Sequence, residues 1–303
     1  MPLLRIFLTG ATGFIGAAVA RALMIRGHEV TGLVRPASLH RLPHRVIPWP
    51  GDLRHPDTWL DAAADADVVV HAGYEYDAAG REVPEADVAA VDVMRQLLAR
   101  GCHAVYTSNA FLLDDVACVG MTEDRPLPDA LVERQPRLGR ERAICDAGGA
   151  AVRVGIVYGG RGGTMAMLLD ALAAGEAFDP LKALGNHWSL IHLEDLAMLY
   201  CMIVERRACG VFHGVDGSPL AVRDVVSATR TAMRRFPGPV DTRRAADAAR
   251  MLDGYHHVLG RDIVLAPERS RRLGWMPLLP SYREGAARAV REWQARRMMR
   301  ATA

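Results

Sequence analysis

Three glycines spaced by three, Gly10, Gly13 and Gly16, constrain this chain more than any other feature. They lie in Thr9-Gly10-Ala11-Thr12-Gly13-Phe14-Ile15-Gly16, after an apolar strand pattern at 3–8 and before helically spaced apolar residues at 17–25. A strand that turns straight into a helix uses the first glycine for a tight turn. The second lets the backbone approach a phosphate, and the third allows close helix–sheet packing. The helix N-terminus then offers free N–H groups and a partial positive charge. The loop therefore predicts a pyrophosphate site for a dinucleotide; the competing reading is a purely structural turn.

Beyond the loop the chain keeps one rhythm. Strand patterns recur at 29–34, around Val46 and Ile47, at 66–71, 103–107 and 150–155, with helical patterns at 84–100 and 137–147. This alternation predicts an α/β fold, a Rossmann-type doubly wound parallel sheet. After Tyr158 the rhythm breaks at Gly159-Gly160-Arg161-Gly162-Gly163. We expect a dinucleotide-binding domain over 1–158, with returning segments near 189–215. A smaller C-terminal substrate-binding lobe is expected over 159–303.

Composition narrows the partners. Of 303 residues, 50% are hydrophobic and 24% charged, which excludes a disordered chain. With 37 basic and 35 acidic residues the net charge is +2, too small for a nucleic-acid or membrane footprint. No apolar run reaches the roughly 18 residues of a membrane span, and a strand pattern from Leu3 leaves no expected secretory leader. Five cysteines form no metal-type spacing, and His256-His257 lacks partners for a metal. A cytoplasmic enzyme with a small-molecule substrate is the expectation. Lys182 is the only lysine, so chemistry that needs one has a single candidate.

The end of the second strand bears on which dinucleotide is bound. A carboxylate there takes the ribose 2′-hydroxyl of NAD, whereas arginine takes the 2′-phosphate of NADP. The stretch is Gly32-Leu33-Val34-Arg35-Pro36-Ala37-Ser38. With Arg35 and Ser38 present and no carboxylate, NADP(H) is favoured over NAD(H); the bland alternative is a solvated arginine in an arginine-rich chain.

These motifs, in order, resemble the extended or atypical short-chain dehydrogenase/reductases, the NAD-dependent epimerase/dehydratase family. Gly51-Asp52-Leu53 is similar to the adenine-side acidic turn, and His71-Ala72-Gly73 to the motif ending the fourth strand. Val105-Tyr106-Thr107-Ser108 is similar to the fifth-strand motif. Val152–Gly159, Ile191-His192-Leu193-Glu194-Asp195-Leu196-Ala197 and Leu273-Gly274-Trp275 with Pro277 continue the likeness toward the C-terminus. The resemblance implies that Asp52, Leu53, His71, Ala72, Gly73 and Thr107 lie against the cofactor. It also makes a homodimer plausible through helices 84–100 and 137–147, which equally suit ordinary sheet-covering helices.

In the resembled family a serine and a Tyr-x-x-x-Lys pair carry redox chemistry: the tyrosine exchanges a proton with substrate and the lysine lowers its pKa. Here Asn109 stands at the serine, Glu133 at the tyrosine and Arg137 at the lysine. Arg137 can still hold a ribose hydroxyl but cannot relay a proton. Asn109 can donate to an oxyanion. Glu133 can act as acid or base if buried, and is otherwise a solvated helix-start residue. Ser108 supplies the hydroxyl if the register is one residue off. Tyr74 and Tyr76 follow the fourth strand on the edge where ligands bind, and either can face substrate.

Nucleotide-sugar members carry an arginine shortly before the Ile-His segment, and Trp188 stands there instead. With Tyr158, Met165, Met167 and Leu168 it suggests an apolar or aromatic substrate, against plain core packing. Three functions stay open. One is an NADP(H)-dependent ketone or aldehyde reductase, or alcohol dehydrogenase, with a non-standard proton donor. The second is a non-redox cyclase, isomerase or dehydratase of specialised metabolism with NADP(H) bound. The third is a non-catalytic dinucleotide sensor.

Overall fold

The computed structural model describes residues 2–75, 83–117, 120–160, 162–175, 185–238 and 240–301. Its strands are β1 (Arg5–Thr9), β2 (Glu29–Val34), β3 (Ile47–Pro50), β4 (Val68–His71), β5 (His103–Asn109), β6 (Ala150–Val154), β7 (Ile156–Tyr158), β8 (His187–Trp188), β9 (Leu190–His192), β10 (Gly210–Gly214) and β11 (Leu220–Ala221). Helices α1 (Phe14–Ile25), α2 (Leu60–Ala64), α3 (Pro84–Leu98), α4 (Asp129–Arg134), α5 (Pro136–Asp146), α6 (Gly163–Ala173) and α7 (Leu193–Arg206) alternate with them. The C-terminal helices are α8 (Val222–Arg235), α9 (Thr242–Gly254), α10 (His256–Leu259), α11 (Glu268–Arg272) and α12 (Tyr282–Ala301).

Seven strands form one sheet in the order β10-β6-β5-β4-β1-β2-β3. β1 pairs parallel with both β2 and β4, β2 with β3, and β4 with β5. The chain winds outward from β1 in both directions, which makes the β1/β4 gap the topological switch point. This is the doubly wound sheet expected from the alternation. Val68, Val69 and Val70 are buried, as a central parallel strand covered on both faces requires. On one face Phe7 stacks on Trp59, with centroids 5.8 Å apart. Leu97 of α3 and Ile144 of α5 join the same core, so both helices cover the sheet. β3 begins one residue later than the Val46–Ile47 signal and is an exposed edge, where Pro48 and Pro50 cost no ladder bonds that a neighbour needs.

The chain divides into two compact units: residues 1–109, 126–153 and 197–212 in the first, and 110–125, 154–196 and 213–303 in the second. The expected boundary at 158 is thus drawn at 153/154, and residues 110–125 join the second unit. The 150–155 signal is β6; at Gly155 the chain leaves the large sheet, and a further strand, β7, pairs with β9 instead. Within the second unit α12 packs on α8, and α6 on α9.

Candidate active site

The first unit holds a cavity of about 260 Å³ at the carboxyl ends of β1, β2, β3 and β4. Thr9, Gly10, Thr12 and Gly13 line it from the glycine loop, and Ala72, Gly73, Tyr74 and Glu75 from the end of β4. Leu33, Arg35, Ser38, Asp52 and Leu53 come from the neighbouring strand ends. Most residues expected at a cofactor therefore converge on one place. Phe14 and Ile15 open α1.

The loop geometry suits a phosphate. Gly10 has φ +71°, and a Cβ there would stand 2.5 Å from the Ala72 carbonyl oxygen. A Cβ on Gly16 would stand 2.2 Å from the Gly10 carbonyl oxygen. Both positions therefore exclude any side chain. Gly13 caps α1 without a side-chain acceptor, and the first turn has no acidic residue. A helix start without a side-chain cap or a nearby carboxylate suits an anion.

Arg35 and Ser38 gain a partner that sequence reading missed. Residues Pro36–Arg41 form a 3-10 helix with Arg35 as its cap. Three residues per turn place 35, 38 and 41 on one face. Arg35, Ser38 and Arg41 all line the cavity, and Arg41 also donates to the Thr12 carbonyl at 3.2 Å. The spacing of three was visible in the sequence, but its meaning depended on a 3-10 rather than an α-helical turn. Asp52 is held by Arg54 at 2.8 Å, and those hydrogen bonds keep its carboxyl at about 2.

Behind the cavity lies a buried polar network. His71 does not line the cavity: its Nδ1 lies 2.6 Å from Thr9 Oγ1 and its Nε2 3.0 Å from Asp87. Tyr106 donates its hydroxyl to Asp87 at 2.9 Å, and Arg140 donates to the same carboxylate. Burial by itself would push the Asp87 carboxyl up. The His71 hydrogen bond and the charges of Arg137 and Arg140 hold it below the usual range. Burial pushes the Tyr106 phenol above its ordinary range, so it keeps its proton. Asp87 carried a sequence signal: it sits in line with the apolar residues Ala90, Val91 and Met94 of α3.

Arg137 ties this network to the cavity. It donates to the Tyr106 hydroxyl at 3.3 Å and to the Thr107 carbonyl at 3.0 Å. Its guanidinium carbon lies 3.9 Å from the centroid of the Tyr74 ring, which lines the cavity. Burial works against its charge, but Tyr106, Asp87 and Tyr74 around it outweigh that and hold it protonated. The Thr107 hydroxyl pairs with Tyr200 at 2.7 Å.

The other expected residues scatter. Asn109 is half-buried at the end of β5, and Glu133 is exposed on α4. Ser108 is buried, and its hydroxyl has no hydrogen-bond partner among the described residues. Tyr76 and Lys182 lie outside the described residues. Trp188, Met165 and Tyr158 are buried in the second unit. Trp188 donates its indole N–H to the Leu259 carbonyl at 2.8 Å, and Tyr158 packs edge-on against His192 and Tyr282. All three fill the interior of that unit rather than a surface a substrate reaches. Among the described residues no three His, Cys, Asp or Glu side chains converge as metal ligands, and no helix is long and apolar enough to cross a membrane.

Fold and cavity define the class first: a Rossmann-type protein with a glycine loop at the switch point of its sheet. The sequence model of the NAD dependent epimerase/dehydratase family matches residues 6–109. A 3-diazoavenalumate denitrifying reductase from a Streptomyces species is 30% identical over 312 residues, covering 94% of this chain and all of that protein. The chain belongs to the NAD dependent epimerase/dehydratase family, and it is an enzyme of that family. Among solved structures, Thermus thermophilus UDP-glucose 4-epimerase complexed with NAD superposes with TM-score 0.69 at 19% identity, covering 95% of this chain and 98% of that one. The human epimerase family protein SDR39U1 with NADPH gives 0.66 at 21% identity, covering 95% and 99%. These two likenesses are of fold.

Proposed function

We propose that this enzyme is an NADP(H)-dependent reductase or dehydrogenase of a small carbonyl compound or alcohol, with Tyr74 as its proton donor. The carrying observation is the Arg137 guanidinium stacked 3.9 Å from the centre of the Tyr74 ring at the cavity wall. In the sequence resemblance Arg137 stands where a lysine lowers the pKa of a tyrosine. Here a guanidinium lies on the face of the Tyr74 ring and holds that ring at the cavity wall.

The residues that line the cavity support this reading at the pyrophosphate and the adenosine ribose. The glycine loop and the uncapped start of α1 would hold the pyrophosphate, and Arg35, Ser38 and Arg41 a 2′-phosphate. The nicotinamide supplies hydride exchange when bound. Tyr74 gives its hydroxyl proton to the substrate oxygen, and Asn109 offers an amide donor to that oxygen. Glu133, exposed on α4, lacks the burial that acid–base work at neutral pH asks of a carboxyl. The Streptomyces relative is named a reductase, which supports redox over non-redox chemistry.

The test begins with fluorescence titration of NADPH and NADH, then turnover with a panel of aldehydes and ketones followed at the nicotinamide absorbance. Tyr74→Phe is expected to lower turnover by about 10²–10⁴-fold while NADPH affinity holds. Full turnover in Tyr74→Phe removes Tyr74 from the role. Product formed without any absorbance change moves the enzyme to non-redox chemistry.

A further inference from the structure

We propose that Glu75 sets the dinucleotide selectivity of this cavity, by competing with a 2′-phosphate for Arg35. The inference rests on the dinucleotide reading above and concerns a residue which that reading leaves unused.

Glu75 stands just past β4 and Arg35 just past β2, and both line the same cavity. One Glu75 oxygen lies 2.9 Å from the Arg35 guanidinium, and the other 3.6 Å from Arg54. Arg54 is already engaged by Asp52 through two hydrogen bonds, so the close pairing of Glu75 is with Arg35. The Arg35 side chain is 57% exposed and that of Glu75 only 19%. The anion is thus held against the cavity wall while the cation stays reachable.

Arg35 therefore has two claimants. A 2′-phosphate carries a charge of roughly −1.5 to −2 near neutral pH. To join Arg35, Ser38 and Arg41 it must take Arg35 from Glu75 and sit beside a like charge. A dinucleotide without that phosphate leaves the pair intact and finds a carboxylate able to accept a ribose hydroxyl. The acceptor that the end of β2 lacks comes from the end of β4. Glu75 thus weakens NADPH binding and supports NADH binding, which narrows the gap between them.

The experiment measures affinities for NADPH and NADH by fluorescence, and for 2′,5′-ADP and 5′-AMP by calorimetry. It uses the wild type, Glu75→Gln, Arg35→Ala and the double variant. Glu75→Gln should bind NADPH and 2′,5′-ADP about tenfold more tightly, about 1.4 kcal/mol, with NADH and 5′-AMP unchanged or weaker. On the Arg35→Ala background the substitution should have a clearly smaller effect on 2′,5′-ADP, because only the like charge is then removed. Glu75→Ser, shorter and also neutral, should move the NADPH/NADH ratio the same way. An unchanged ratio in both Glu75 variants, or additive effects in the double variant, overturns the inference and leaves the dinucleotide reading standing. A wild type that binds none of the four ligands overturns both.

Discussion

Asp87 in the first unit and Asp216 in the second are equally buried, each 1% exposed, yet they differ in charge at neutral pH. Asp87 receives His71, Tyr106 and Arg140, with Arg137 close by, and stays ionised. Asp216 receives one backbone N–H, from Ser218 at 2.7 Å. Its second oxygen has no hydrogen-bond partner among the described residues. Burial drives its pKa to about 8; the Asp195 charge adds to this, and the Ser218 bond opposes it. Equal burial imposes a similar desolvation penalty on both, and the donors around each carboxyl decide whether it is met. The first unit spends its donors on a fixed charge behind the cavity, where it helps hold Arg137 against Tyr74.

The comparison can be broken most sharply at Asp87. Asp87→Asn leaves Arg137 and Arg140 without their buried counter-charge and should cost about 3–5 kcal/mol in urea denaturation. A loss below about 1 kcal/mol would show that the network is not held by charge.

Asp216→Asn should do the reverse. Its folded pKa lies above the unfolded value near 4, so the native state holds an extra proton between about 4 and about 8. Wild-type stability therefore falls as pH rises through that window, and the asparagine variant lacks this loss. Its advantage over wild type should grow between pH 5 and pH 8 by on the order of 4 kcal/mol, then level off. A pH-independent difference in denaturation midpoint between pH 5 and pH 8 would mean that native Asp216 holds no extra proton in that window, so that its folded pKa is not raised.

Tyr106→Phe sharpens the same contrast with a smaller effect. It removes one of several donors to Asp87 and should cost about 1–2 kcal/mol, with Asp87 still ionised because His71 and the arginines remain. If the native-state carboxyl titrated near neutral pH in this variant, followed by NMR, Tyr106 would be the donor that matters most.

Much of the first unit was legible in the chain. The glycine loop and the valine run of β4 follow local rules, a turn and a period, and Arg35 and Ser38 stand at the cavity because they follow the end of a strand. Arg41 was legible only in part, because a spacing of three acquires a common face only once the turn is 3-10. Glu75 was invisible as a partner of Arg35, since forty residues separate them and only the parallel pairing of β1 with β2 and β4 brings their strand ends together. Trp188 and Met165 misled for the converse reason. An apolar side chain reads alike whether it faces a ligand or a core, and here Trp188 found the Leu259 carbonyl.

The sequence by itself determined the doubly wound sheet and the glycine turn into α1, because apolar period and glycine stereochemistry are properties of neighbouring residues. Tertiary structure alone decided which tyrosine meets Arg137, which carboxylate meets Arg35 and which buried aspartate keeps its charge. Each of these depends on a cross-chain distance of a few ångströms, and electrostatic and hydrogen-bond energies vary steeply over that range.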